Sequence, residues 1–329
     1  MLKLYRQRFK QYKPAYYASI ILLLILIASL LLPIIANDKP LFIWHNGQPF
    51  LPMLINYSEA DFGYATELRA NYAELSFDLV IRPLIEFNHT THDILAMELA
   101  GAVAPLPPSL NHILGTDDMG RDLAAQLLYG LRLSLVFAIL LSVISTIIGV
   151  VIGAIQGYFG GLVDLVGQRL IEVWSSLPAL YILIILSSVI IPSFWWLLLI
   201  MILFSWSQLV DVVRAEVLRV RGQDFIIAAK LMGVSNCRII FRHILPNALI
   251  ASITFLPFIM SGALVTLTAL DFLGLGLPPD TPSLGKMLAQ GKGNIESPHI
   301  IISVFMVLAA LLTLFIIIGE GMRRALKTF

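Results

Sequence analysis

The sequence predicts an all-α polytopic membrane protein, and three observations carry that reading. Of 329 residues, 58% are hydrophobic and only 13% charged, with a mean hydropathy of +0.86, a balance outside that of ordinary soluble domains. Apolar stretches recur that approach or exceed the roughly 20 residues needed to cross a bilayer. Lys and Arg gather in three separate polar flanks, as they do on the inner face of membrane proteins.

Six spans are expected, near Ala18 to Ala36, Leu131 to Gln156, Leu165 to Ile191, Phe194 to Val213, Leu249 to Leu273 and Ile300 to Gly319. The third and fourth are separated at Ile191-Pro192-Ser193, where proline stops one helix and a tight connection opens the next. The first begins from a basic segment and reaches Ala36, the layout of a secretory signal. Its apolar run exceeds the roughly 7–15 residues of a signal core, so an uncleaved anchor is expected.

Orientation follows from the cations. Lys3, Arg6, Arg8, Lys10 and Lys13 precede the first span; Arg214, Arg219, Arg221, Lys230, Arg238 and Arg242 lie between the fourth and fifth; Arg323, Arg324 and Lys327 close the chain. All three segments are expected on the cytoplasmic side, with both termini there. Residues 37–129 then face the other side, in keeping with Glu59, Asp61, Glu67, Glu74, Asp78, Glu86, Asp93 and Glu98. The chain is thus expected to divide into a cytoplasmic N-terminus and anchor (1–36), a periplasmic insertion (37–129) and a five-span core (130–329). The insertion is too long for an ordinary connection. Its aromatic residues suffice for a small core, and Asn46-Gly47 between apolar runs signals a turn, so some strand is expected there. Val103 to Pro108 is proline-rich and expected to be extended.

The most informative segment is Asp224 to Pro246, DFIIAAKLMGVSNCRIIFRHILP. Asp224 is expected to cap a short helix, Ala228 and Ala229 to present a small smooth face, and Gly233 to end the helix in the left-handed conformation. Ser235 is the candidate cap of a second helix leading back towards the membrane at Pro246. An amphipathic helix lying at the lipid interface is the competing interpretation. Gly149, Gly153 and Gly157 form a flat helix face for close backbone packing, with Asp164 and Arg169 following in a polar turn.

Leu114 to Leu135, LGTDDMGRDLAAQLLYGLRLSL, carries Asp117, Asp118 and Asp122 near a helix start. Without a nucleophile nearby, capping and packing account for these carboxylates better than acid–base chemistry. Asp271 to Lys292, DFLGLGLPPDTPSLGKMLAQGK, is expected to end the fifth span and turn into the sixth. Gly285-Lys286 is not a phosphate loop, since Met287 stands where Ser or Thr is needed. No Walker A sequence occurs, so the chain is not expected to hydrolyse ATP. His89, His92 and Asp93 are close in sequence, but a surface loop explains them better than a metal site. Asn56-Tyr57-Ser58 and Asn88-His89-Thr90 match a glycosylation pattern that recurs by chance. The lone Cys237 excludes a disulfide framework. Glu172, Asp211, Asp271 and Glu320 sit at or near span ends, leaving a neutral bundle interior that argues against a stand-alone ion-coupled carrier. HExxH and GxSxG are also absent, which removes the commonest intramembrane enzyme signatures.

Together, the Asp224–Pro246 segment, LGTDDMGRD, GYFGGLVD and DFLGLGLPPDTPSLGKML resemble the ordered motifs of binding-protein-dependent ABC importer permeases. Their order is similar to the C-type subunits of the dipeptide/oligopeptide branch. ANDKPLF, NYSEADFG and LTALDFLGLGLP are similar to the Yej-type permeases of oligopeptide and microcin C importers. The resemblance implies a type I importer fold with six transmembrane helices. It further implies a second homologous permease subunit, cytoplasmic ABC ATPase domains that hold ATP and Mg, and a periplasmic peptide-binding protein. No cofactor or metal would be bound by this chain. The ATPases would grip residues 224–233, with Asp224, Ala228, Ala229, Leu231, Met232 and Gly233 carrying the coupling. The chain departs from the family at Ile227, where the motif usually has Glu. Other cargoes within the same class are dipeptides and nickel chelates.

Overall fold

A computed structural model describes residues 2–326, apart from 65–67, 69, 73–74, 95–96, 99–100 and 102. Glu67 and Glu74 of the expected acidic set, and Lys327 of the closing basic cluster, lie outside the described residues. The chain forms two compact units. One comprises Met1–Leu22, Ser134–Pro279 and Ala309–Phe329, the other Leu23–Leu133 and Asp280–Leu308.

The helices of the described chain are α1 (Leu2–Gln11), α2 (Lys13–Leu30), α3 (Leu32–Ile35), α4 (Leu123–Phe159), α5 (Gly161–Ser175), α6 (Ala179–Ser187), α7 (Phe194–Ser205), α8 (Ser207–Arg221), α9 (Asp224–Leu231), α10 (Asn236–Ile239), α11 (Leu245–Ile253), α12 (Leu256–Phe272), α13 (Leu284–Gly293) and α14 (Pro298–Leu326). By length and composition, α2, α4, the α7–α8 run Phe194–Arg221, and α14 are four spans. The pair α5 and α6 makes a fifth if its 57° bend is counted within one crossing. The count differs from the six expected because two apolar runs are broken by proline. Pro178 precedes α6, and Pro257 opens α12 after the break at Thr254-Phe255. Proline lacks the amide that would continue the ladder, leaving α12 at 17 residues.

In the first unit the core is a contiguous apolar cluster built from α4, α8, α9, α10 and α11, with Val213, Val217, Ile226, Ile239 and Ile244 fully buried. The glycine face of α4 behaves as the sequence predicts. A Cβ at Gly149, Gly153 or Gly157 would lie 2.7, 2.8 or 2.8 Å from the carbonyl oxygens of Trp206, Val210 and Arg214. Both rows advance by four residues, one helical turn, so the two backbones run in contact along their length. At the ends of the chain, Tyr5 Oη donates to the Met322 carbonyl at 3.3 Å, and the Arg324 guanidinium lies 4.7 Å over the Tyr12 ring.

The second unit contains a three-stranded antiparallel sheet of order β2-β1-β3, with β1 at Phe42–His45, β2 at Gln48–Phe50 and β3 at Leu79–Ile81. Asn46 and Gly47 have φ of 50° and 76°, the left-handed pair that a two-residue hairpin requires. The small core beneath includes Ile43, Phe50, Phe62, Ala70 and Tyr72, so the expected aromatic core and its hairpin are present.

The turn expected between the fifth and sixth spans contains a ten-residue helix, α13. Ser283 caps it, accepting from the Gly285 amide at 3.2 Å, and Leu284 and Met287 pack with Leu123, Leu127, Ile300 and Val304. The preceding turn is tight because the buried Asp271 carboxylate accepts from the Leu277 amide at 2.7 Å, and a Cβ at Gly276 would overlap it.

Candidate functional site

The connection from Arg221 to Pro246 folds as a short exposed helix on a rigid base. Gln223 stands at the N-cap of α9 in extended conformation without a capping side-chain bond, and Asp224 is the first helical residue. Asp224 therefore complements the helix dipole from the first turn rather than capping it. The helix ends as expected. Gly233 takes φ +75°, its amide donates to the Lys230 carbonyl at 3.0 Å, and the Val234 amide donates to the Ala229 carbonyl at 3.1 Å. That reciprocal pair is a Schellman stop, completed by Val234 packing on the same core as Ala229.

The two faces of α9 are unlike. Ile226 and Ala229, three residues apart and so on one side, are buried in the core. Asp224, Ala228, Leu231, Met232 and Gly233 are exposed, as are Phe225 and Ile227; Leu231 is 85% and Met232 76% exposed. Five of the six residues expected to meet a partner are thus on the surface. Ala229 is the correction. It faces the chain's own interior, where its small side chain lets α9 sit close against the core.

Tyr158, near the end of α4, contacts three successive helices of this connection, α8, α9 and α10. Its hydroxyl bonds Asn236 Oδ1 at 2.7 Å, its carbonyl accepts from Arg221 Nη1 at 3.0 Å, and the Lys230 ammonium sits 4.7 Å over its ring. Close by in sequence, Asp164 accepts a bidentate pair from Arg214, with Nη2 to Oδ2 at 2.7 Å and a second short bond from Nε. The sequence offers little to mark Tyr158 beyond its place within GYFGG. Ser235 occupies the N-cap of α10 without a side-chain bond, and the chain passes through a π turn, Ile240–Ile244, directly into α11. Pro246 thus sits inside a continued helix, one residue into α11. Lacking an amide, it cannot serve the ordinary ladder, and the wider π register absorbs that loss. A load on the exposed face of α9 therefore acts on a base that reaches α4, α8 and α11 together.

The acidic turn before α4 is structural, as expected. Asp122 is adjacent to the helix start and accepts from the Ala125 amide at 2.7 Å. Asp117 is fully buried and accepts from the Met119 and Arg121 amides and from Arg121 Nε, while Gln290 Nε2 reaches Asp118 Oδ1 at 2.6 Å. Burial and the neighbouring Asp117 carboxylate push Asp118 up. His89, His92 and Asp93 are directed to separate partners: the His89 ring lies on Tyr129, His92 Nδ1 meets the Met119 carbonyl at 2.8 Å, and Asp93 reaches His112. No group of three or more His, Cys, Asp or Glu suited to a metal occurs among the described residues. His112 itself was not legible as special in the sequence.

Residues 149–327 match the model of the binding-protein-dependent transport system inner membrane component family. The chain is 47% identical over 325 residues to the inner membrane ABC transporter permease protein YejE of Escherichia coli K12, covering 97% of this chain and 94% of that protein. It is 40% identical to the peptidoglycan transport system permease protein YejE of Agrobacterium fabrum, covering 98% and 92%. It is also 34% identical to the dipeptide transport system permease protein DppC of Alkalihalophilus pseudofirmus over 67% of this chain and 72% of that one. The matched region contains α9, its glycine-faced support and the motif Asp271 to Lys292, and with them the chain belongs to the binding-protein-dependent inner membrane components, the type I permease subunits of ABC importers.

Proposed function

We propose that this chain forms one half of the translocation pathway of an ATP-driven importer of short peptides or peptide-bearing cell-wall fragments, and that α9 couples it to the ATPases. Permeases of this family work with ATPase and binding-protein subunits. In this reading a second, homologous permease completes the pathway. ATP and Mg are held by the partner ATPases, and the segment rich in Lys and Arg around α9 faces the cytoplasm. The cargo class rests on the relatives, whose names specify dipeptide and peptidoglycan transport.

The observation that carries the coupling role is the exposed row Phe225, Ile227, Ala228, Leu231 and Met232 on a helix whose opposite face is anchored in the core. Such a row costs hydration unless another surface covers it. ATP-driven closure of the ATPases would move α9 and, through its base, rock the two permeases between inward-open and outward-open states.

The test is uptake of labelled short peptides and of a peptide–nucleotide antibiotic by cells with the gene, without it, and with Gly233→Asp. Loss of uptake in the null and the variant supports the reading. Normal uptake by the variant at wild-type expression removes α9 from the coupling role.

A further inference from the structure

The folded insertion contains a cleft between two segments that are hydrogen-bonded to each other at both ends. The Asn37 amide donates to the Ile85 carbonyl at 3.1 Å, and the Leu41 amide to the Ile81 carbonyl at 2.8 Å. These bonds pin two neighbouring segments at both ends. Between them the segments part, and each has a proline there, Pro40 and Pro83, with no amide to extend the ladder. The resulting cleft is about 380 Å³, within the roughly 300–1,000 Å³ of small-ligand sites. Pro40, Ala70, Tyr72 and Pro83 are buried and form an apolar floor, with Phe87 alongside.

The rim has charges of both signs on opposite walls. Asp38 and Lys39 lie on one, Arg82 and Glu86 on the other. Lys39 donates to Asn56, and Arg82 pairs with Glu86 at 2.6 Å while keeping about half of its side chain in solvent. Asp38 is exposed and makes no hydrogen bond or ion pair among the described residues. A ligand matching this layout has an ammonium, a carboxylate and an apolar side chain between them. Isolated ions of one sign would meet the opposite pair as well and gain little.

We infer that this cleft is a binding subsite for a short zwitterionic peptide, its ammonium at Asp38, its carboxylate at Arg82 and an apolar side chain on the Tyr72–Phe87 floor. This deepens the peptide-import reading and rests on it. The subsite would hold cargo between its release from the binding protein and its entry into the pathway. Arg82 suits a carboxylate because its planar fork offers two parallel donors.

The experiment uses the complete importer in lipid nanodiscs, with tritiated Ala-Phe-Ala and its N-acetylated and C-amidated forms as probes. Binding is measured without the binding protein, and transport with it. The wild type is expected to bind the free tripeptide at least tenfold more tightly than either blocked form. Arg82→Gln should abolish the preference over the amidated form alone, and Asp38→Asn the preference over the acetylated form alone. Glu86→Gln breaks the same Arg82 ion pair but keeps the guanidinium, so it should preserve both preferences. Its failure to do so would mean that the pair is merely structural and would overturn the assignment. Equal binding of free and blocked peptides by a wild-type complex that still transports peptide would sink the subsite and leave the import reading intact. An assembled complex that transports no peptide at all would remove both.

Discussion

His112 Nδ1 lies 2.9 Å from Asp122 Oδ2, and the same carboxylate, through Oδ1, accepts the Ala125 amide in the first turn of α4. The opposite ring nitrogen lies 3.2 Å from Asp93 Oδ2, and the ring rests on Phe87 with centroids 4.5 Å apart. His112 is 2% exposed. Both nitrogens thus face carboxylates, an arrangement that only the doubly protonated imidazolium satisfies in full.

A pH dependence follows. The hydrogen bond to Asp122 raises the His112 pKa, burial opposes it, and the Asp122 charge and the Asp93 contact add to the rise. A raised folded-state pKa means that the native protein holds more protons than the unfolded chain once pH exceeds the ordinary histidine value of about 6.5. The contribution is complete below that value and is lost as pH rises through the raised one. Thermal unfolding in nanodiscs should therefore show a melting temperature that falls from pH 6 towards alkaline values. His112→Gln should flatten that slope, and an unchanged slope in the variant would remove the imidazolium from the account.

Gly153→Val should separate α4 from α8. The new Cβ would stand 2.8 Å from the Val210 carbonyl and 2.9 Å from Val213 Cβ, and neither helix can yield without opening the rows above and below. Overpacking of this kind costs about 1–3 kcal/mol. The expected readout is a lower melting temperature and reduced yield of folded protein, whereas a wild-type melt would show that the two helices are not in register along the glycine face.

Gly233 and Gly262 form a matched pair for backbone cost. A Cβ at either meets nothing within 4 Å, but Gly233 has φ +75° while Gly262 lies within α12 without a positive φ. Ala at 233 should destabilise by about 1–2 kcal/mol, the cost of the left-handed conformation, and Asn should cost less. Ala at 262 should stabilise by about 0.4–1 kcal/mol by narrowing the unfolded ensemble. Equal effects of Ala at the two sites in chemical denaturation would contradict the assignment of Gly233 as a left-handed stop.

What was legible in the sequence depended on how local its cause was. The C-terminal end of α9 was readable because Gly233 and its neighbours act within one turn, and the hairpin because Asn46-Gly47 specifies its own geometry; the N-terminal end was misplaced by one residue, since Asp224 suits a cap and a first-turn position alike. The glycine face of α4 was readable because a four-residue repeat has one simple packing use. The inward face of Ala229 was not, since two adjacent alanines look alike until the partner helices fix which side is buried. Asp93, His112 and Asp122 come together across intervals with no period, so nothing in the chain pairs them in advance. Helix α13 was hidden by the glycines and prolines around it, although Ser283, Leu284 and Met287 form a cap and an apolar face. The breaks at Pro178 and Pro257 are visible as prolines, but hydropathy averages over them, so each apolar run looks continuous in the sequence.

Ala228 and Ala229 provide the sharpest separation of coupling from folding, because they are adjacent, identical and oppositely placed. Leu at 229 must fit among Ile226, Val217 and Ile239 in a filled core, and should cost about 1–3 kcal/mol as overpacking. Leu at 228 projects outward and should leave stability within about 0.5 kcal/mol, as surface changes do. If the ATPase subunits seat on the exposed face, Ala228→Leu should still assemble in the membrane but hydrolyse ATP without driving uptake, through a steric bump at the contact. Measuring melting temperature, co-purification of the ATPases, ATP turnover and peptide uptake for both variants distinguishes the roles. A stable Ala228→Leu complex with wild-type uptake would show that this face of α9 is not where the force is received.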